Sequence, residues 1–156
     1  MTQSLKALLA EWKETRKTTL GFLTEMSETE LDKELPRKIL NTIRLQTYEL
    51  ALFQRDVVNS LGTDTFVFED EYKYVNMPTK DIIERMAKLD EQLEKALELL
   101  DGTEMLDYYG EQQNVHQIIA MMIGHEYMHI GQIIAFCYAA GMEIPDSIVE
   151  CMALEG

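Results

Sequence analysis

Gly124-His125-Glu126-Tyr127-Met128-His129-Ile130-Gly131-Gln132 holds two of the chain's three histidines, four positions apart. On a helix that spacing sets both imidazoles on one face, one turn and about 6 Å apart, the separation that two ligands of one metal ion need. The glutamate after the first histidine makes the stretch also read His-Glu-x-x-His. What this face meets decides both the fold and the site.

Outward from it, the pattern predicts a helix from Asn114 to Gly141. Asn114-Val115-His116-Gln117 is a variant capping box at its start, and Gly141 suits its end. Ile118, Met122, His125, His129, Ile133 and Phe136 share one face, with both histidines at its middle. His116 projects ~160–200° from that face and is expected at the surface, outside any site. The reverse face is apolar too: Ile123, Tyr127, Ile130, Ile134 and Tyr138. A helix apolar all round is covered on both sides, by the long connection described below or by a second subunit, so a homodimer is expected.

Three more long helices follow from the same periodicity. The first runs from about Thr2 to Met26 on a stripe of Leu5, Leu8, Leu9, Trp12, Thr19, Leu20 and Leu23. Ser27-Glu28-Thr29-Glu30 has the form of a capping box for one further turn. The second runs from about Pro36 to Ser60, with Pro36 in its first turn and Ile39, Ile43, Leu50, Phe53 and Val57 on its seam. The third has Thr79 as N-cap, a stripe of Ile82, Met86, Leu89, Leu93, Ala96, Leu97 and Leu100, and Gly102 as its stop. Pro145 to Leu154 predicts a short amphipathic helix against the bundle end.

Between Gly62 and Pro78 lies a long connection. Phe66-Val67-Phe68 and Tyr72-Lys73-Tyr74-Val75 have local strand character, but Glu69-Asp70-Glu71 makes a poor tight turn, so a crossing loop with aromatic anchors is expected. Such a connection can make the helices on either side of it parallel. The expectation is one all-α domain over residues 1–156, a four-helix bundle with one long crossover.

Composition narrows the function classes. The chain has 156 residues and a formal charge of −14. That acidity argues against a nucleic-acid partner and against an anionic membrane surface. Cys137 and Cys151 do not make a disulfide framework or a cysteine zinc site. Met1 to Lys6 lacks a signal peptide's apolar core and no apolar run is long enough to span a bilayer, so a cytoplasmic location is expected.

Two side chains on the second helix can reach the core. Gln46 points within ~30° of the seam's centre, and Glu49 lies ~80° from it. A buried amide needs hydrogen-bond partners, so Gln46 serves either register or a site. Glu126 lies ~60–80° from the mean histidine direction and can flank a metal. That admits a zincin-type protease reading, with Glu126 as general base and Glu143 or Glu150 as third ligand. No sheet edge is in evidence to hold a peptide.

The helix layout, with His125-Glu126-Tyr127-Met128-His129-Ile130-Gly131-Gln132-Ile133 on the last helix, resembles the DinB/YfiT-like superfamily of bacterial bundles. The resemblance implies a nickel or zinc ion in the core, held by three histidines. Two carry over onto His125 and His129. The third belongs on the second helix, where this sequence has none. Matching the family's text there puts Arg44 in the ligand's place, followed by Leu45 and Glu49. Helical phase instead turns Arg44 ~130–150° from the seam and leaves Gln46 or Glu49 as third ligand. A carboxylate is the better donor for such a metal.

The resemblance further implies a thiol-dependent transferase or a metal-dependent hydrolase acting on a low-molecular-weight thiol or other small molecule. Glu126 or Glu49 would serve as base or as partner of a ligand, and Tyr48 and Tyr127 would be peripheral. The alternative is a non-catalytic bundle with a metal-free site, its histidines bonded to Gln46 and neighbours, acting through association.

Overall fold

A computed structural model describes residues 1–34, 41–68 and 77–154. In chain order the elements are α1 (Gln3–Glu25), α2 (Glu28–Leu31), α3 (Ile43–Thr63), α4 (Thr79–Glu98), β1 (Met105–Tyr108), β2 (Glu111–Asn114), α5 (Val115–Ala140) and α6 (Asp146–Cys151). Pro36, Ile39 and the segment Tyr72-Lys73-Tyr74-Val75, on which part of the sequence reading falls, lie outside the described residues.

Local chemistry sets most of the boundaries. Thr2 caps α1, its hydroxyl accepting from the Leu5 N–H at 3.3 Å. The capping boxes at Ser27 and Asn114 form, the Asn114 N–H donating to Gln117 Oε1 at 2.8 Å. Gly141 ends α5 in the left-handed region at φ 62°.

Three boundaries differ from expectation. Helix α3 starts at Ile43 instead of near Pro36, because Thr42 takes the N-cap and accepts from the Leu45 N–H at 3.2 Å. It passes through Gly62 and stops at Asp64, whose φ of 57° is a conformation that Asp tolerates better than most residues. Thr79 is the first residue of α4, not its cap. Pro78 stands in that place, and the Thr79 hydroxyl instead accepts from Arg44 Nη1 at 2.6 Å.

Between Gly102 and Asn114, where the apolar pattern predicts nothing, β1 and β2 form an antiparallel hairpin pairing Met105 with Asn114 and Tyr108 with Glu111. Its turn residues Tyr109 and Gly110 both have positive φ, 55° and 85°, as a two-residue hairpin turn requires. The connection after α3 joins this hairpin through the Phe66 N–H, which donates to the Asp107 carbonyl at 2.8 Å. Phe66 is buried there while Val67 and Phe68 are exposed, so one aromatic anchors the described part of the connection.

In the bundle α1 packs on α5 and α4, and α3 packs on α4 and α5, so α1 and α3 stand diagonally across the core. Bonds at two levels fix the directions. Arg44 meets Thr79 and Gln54 meets Asp90, so α3 and α4 run parallel, as the long connection allows. Ser4 meets His116 and Thr19 meets Glu126, so α1 and α5 are parallel too.

The reverse face of α5 is covered by α1. Ile130 and Ile134 share a buried cluster with Phe22 and Leu23, and the half-exposed Tyr127 donates to Glu11 at 3.0 Å. Of that face Tyr127 and Tyr138 stay exposed, at 40% and 62%. Among the described residues no helix is long and apolar enough to cross a membrane.

The apolar core is in two parts. One gathers Leu31, Ile43, Ile82 and Ile148, the other Leu5, Val57, Leu97 and Leu106. On each long helix the change from one part to the other falls at the same level. That level is marked by buried or half-buried polar residues: Arg16 and Thr19 on α1, Gln54 on α3, Asp90 on α4, Glu126 and His129 on α5.

Candidate metal centre

His125 and His129 face α3 at this level, their ring centroids 4.7 Å apart. They fall there because α5 is phased by Ile118, Met122, Ile133 and Phe136, all buried on the same side. From α3, Glu49 brings its Oε1 to 3.9 Å from His129 Nε2. One donor atom from each of Glu49, His125 and His129 lies within 4.8 Å of the others. Donors around a tetrahedral zinc sit about 3.3 Å apart, so the set closes onto an ion by a movement of about 1 Å.

Burial shapes the chemistry of these groups. His129 is 5% exposed, and desolvation, with the neighbouring His125 adding to it, pulls its pKa down to about 4. Desolvation lowers the pKa of His125 and raises that of Glu49. Both imidazoles are therefore neutral at pH 7, the form that ligates a metal. The decisive feature is what the ring nitrogens lack. His125 Nδ1 and His129 Nε2 are buried without a hydrogen-bond partner among the described residues. Such atoms carry an uncompensated desolvation cost, and a cation between them and Glu49 removes it. The donor set fits a divalent ion. Phe53, one turn beyond Glu49, stacks against His125 at 4.3 Å between centroids and keeps that side apolar.

Gln46 is also buried, its amide Nε2 donating to the Asn41 carbonyl at 3.2 Å and its Oε1 lying 3.5 Å from His129 Nδ1. It thus meets the ring nitrogen opposite to the one near Glu49. Of the two candidates on α3, Glu49 joins the histidine group and Gln46 stands behind it.

Glu126 is directed elsewhere. It is 1% exposed and faces α1, accepting from the Thr19 hydroxyl at 2.6 Å with Arg16 Nη1 at 3.3 Å. Burial raises its pKa, with Arg16 and Thr19 opposing. Arg16 donates through Nη2 to Gln54 Oε1 at 2.8 Å, and Gln54 donates to Asp90 at 2.7 Å. Asp90 also accepts from Trp12 Nε1 at 2.9 Å. Glu126 is a member of this network and not of the histidine group, and Glu143 and Glu150 are exposed beyond the end of α5. Among the described residues, neither the base nor the downstream third ligand of a His-Glu-x-x-His protease therefore joins the two histidines. This network escaped the sequence reading; its one sequence-level signal is Arg16, a charge on the buried stripe of α1.

Arg44 is turned away from the centre, as its helical phase requires, but it is not at the surface. At 5% exposure it holds α2, α3 and α4 together through Asp32 at 2.6 Å, Glu28 and Thr79. His116 lies apart from the pair, half-buried, its Nδ1 2.7 Å from Asn114 Oδ1 and its Nε2 2.8 Å from Ser4 Oγ. It joins the starts of α5 and α1.

In a comparison with curated proteins, none matches this chain. The family model described as the DinB superfamily matches residues 11–133, from the first turns of α1 into α5 and so across Gln46, Glu49, His125 and His129, and the chain belongs to that superfamily.

Proposed function

We propose that the protein is a divalent-metal protein in which Glu49, His125 and His129 hold a zinc or nickel ion for chemistry on a small molecule, a low-molecular-weight thiol before others. The observation that carries this is the pair of buried ring nitrogens without partners, facing a carboxylate across a gap of metal-site size. Two histidines and one carboxylate leave coordination positions open, as catalytic sites do and structural sites do not. When bound, the ion supplies Lewis-acid activation of a thiol or a water.

The chain's own groups have definable tasks in this reading. Desolvation keeps both imidazoles unprotonated, with a lone pair free. Glu49, with 28% of its side chain exposed, stands where the group opens to solvent and supplies the negative charge. Phe53 closes the inner side. A thiol transferase and a hydrolase both need this arrangement, and they differ in the nucleophile the opening admits.

Titration of untagged protein with zinc and with nickel, followed by calorimetry and elemental analysis, tests the reading. Stoichiometric uptake is expected, lost in His125→Ala and His129→Ala and weakened in Glu49→Gln. No uptake by the wild-type protein overturns it and leaves a bundle that acts by association. Light scattering on the same sample then shows whether it is a dimer.

A further inference from the structure

We infer that Gln46 is the positioning residue of this centre: its amide oxygen holds the single N–H of His129 on Nδ1 and so turns the Nε2 lone pair toward Glu49 and His125. The inference rests on the metal reading for its purpose, but its geometry stands on its own.

The two ends of a glutamine amide differ only in what they bond, and here a backbone group tells them apart. A carbonyl can only accept, so the end of Gln46 that lies 3.2 Å from the Asn41 carbonyl is the NH2. The end facing His129 is then the oxygen, 3.5 Å from Nδ1. An amide oxygen also only accepts, so the ring nitrogen in front of it carries the hydrogen. A neutral imidazole has one N–H, which leaves Nε2 bare. Nε2 is the nitrogen of this ring that is buried without a partner, 3.9 Å from the Glu49 oxygen.

Two acceptors facing each other repel unless a proton or a cation lies between them. Gln46 thus selects the tautomer that a metal at Nε2 needs, in the way that a hydrogen-bonded carboxylate or carbonyl holds a metal-binding histidine from behind. At 3% exposure Gln46 is also shut off from water, which would otherwise compete for the same N–H. Its place on the apolar seam of α3 has a purpose: it reaches the back of a ligand presented by α5.

The test begins on metal-free protein. In ¹⁵N-labelled histidine spectra at neutral pH, with the His129 signals assigned by their loss in His129→Leu, wild-type His129 is expected as the Nδ1–H tautomer. Gln46→Leu should move it to Nε2–H or to a mixture. It should also lower zinc affinity by about ten- to a hundredfold, with stoichiometry kept at saturation. Gln46→Glu, which accepts the same hydrogen and when protonated on its other oxygen can still donate to the Asn41 carbonyl, should restore both below the pKa of that buried carboxyl.

An Nε2–H tautomer in the wild-type protein overturns the inference, as does a Gln46→Leu variant with unchanged tautomer and affinity. If Gln46→Leu does not fold, the wild-type spectrum decides alone. A wild-type protein that shows the Nδ1–H tautomer and takes up no zinc defeats the metal reading and leaves the role of Gln46 intact.

Discussion

His125 and Glu126 are neighbours in sequence, yet they serve two polar regions of opposite character. Glu126 enters a network on the α1 side in which Thr19, Arg16, Gln54, Asp90 and Trp12 meet one another. Arg16 bonds there through Nη2, while its Nε and Nη1 make no hydrogen bond among the described residues and face Asp90 and Glu126 as ion pairs. His125 enters a group on the α3 side in which two buried ring nitrogens have no hydrogen-bond partner among the described residues. Both sit at the level where the apolar core divides, and α5 is the element they share. The first region is what a fold does with unavoidable buried charge: it sets opposite charge beside it, Glu126 and Asp90 against Arg16. The second is held in an unsatisfied state by the packing around it, which makes sense where a ligand is to complete it.

If that contrast is right, substitutions in the two regions should act in opposite ways. The largest effect is expected from Glu126→Leu, which leaves Arg16 buried without its nearer carboxylate. Urea unfolding should show a loss of about 3–5 kcal/mol, toward the lower end because Asp90 remains at 3.7 Å from Arg16 Nε. Zinc stoichiometry of the folded fraction should not change. Loss of zinc binding in that variant would break the separation of the two regions.

The pH dependence of the metal-free protein comes next. His129 titrates near pH 4 when folded and near its ordinary 6.5 when unfolded, so between these values the unfolded chain binds more protons. The stabilising contribution is complete above pH 6.5 and is lost as pH falls toward 4, by up to about 1.4 kcal/mol per pH unit. Unfolding midpoints across this window should show the slope. They should lose part of it in His129→Leu, and an unchanged slope there would assign it to other groups.

The smallest effect sharpens the contrast most. His129→Leu removes a nitrogen that has no partner but also the N–H that the buried Gln46 oxygen accepts, so the two changes oppose and the metal-free protein should lose no more than about 1–2 kcal/mol. It should also abolish zinc uptake. A destabilisation as large as that of Glu126→Leu would show that the histidine pair is an ordinary packed element.

Much of the bundle was legible in the chain. The stripe from Ile82 to Leu97 and the boxes at Ser27 and Asn114 are local signals, written within a few residues and little affected by what packs on them. The start of α3 was not, because Pro36 and Thr42 both suit a helix entrance and the choice between them is not local. The hairpin escaped because each strand is four residues long and only Leu106 between them is fully buried, too short an alternation to read.

The sequence by itself determined that His125 and His129 share a core-facing line, since the helical period fixes that without a partner. It also placed Gln46 and Glu49 within reach of that core and could not choose between them. Only the tertiary structure decided that Glu49 stands at the open nitrogen of His129 and Gln46 behind it. Tertiary packing likewise sent Glu126 to Arg16, through the choice of α1 as the helix that covers the reverse face of α5. Those outcomes depend on which helices become neighbours and in which direction they run. Periodicity sets the angle at which a side chain leaves its helix, and the neighbouring helix determines what it meets.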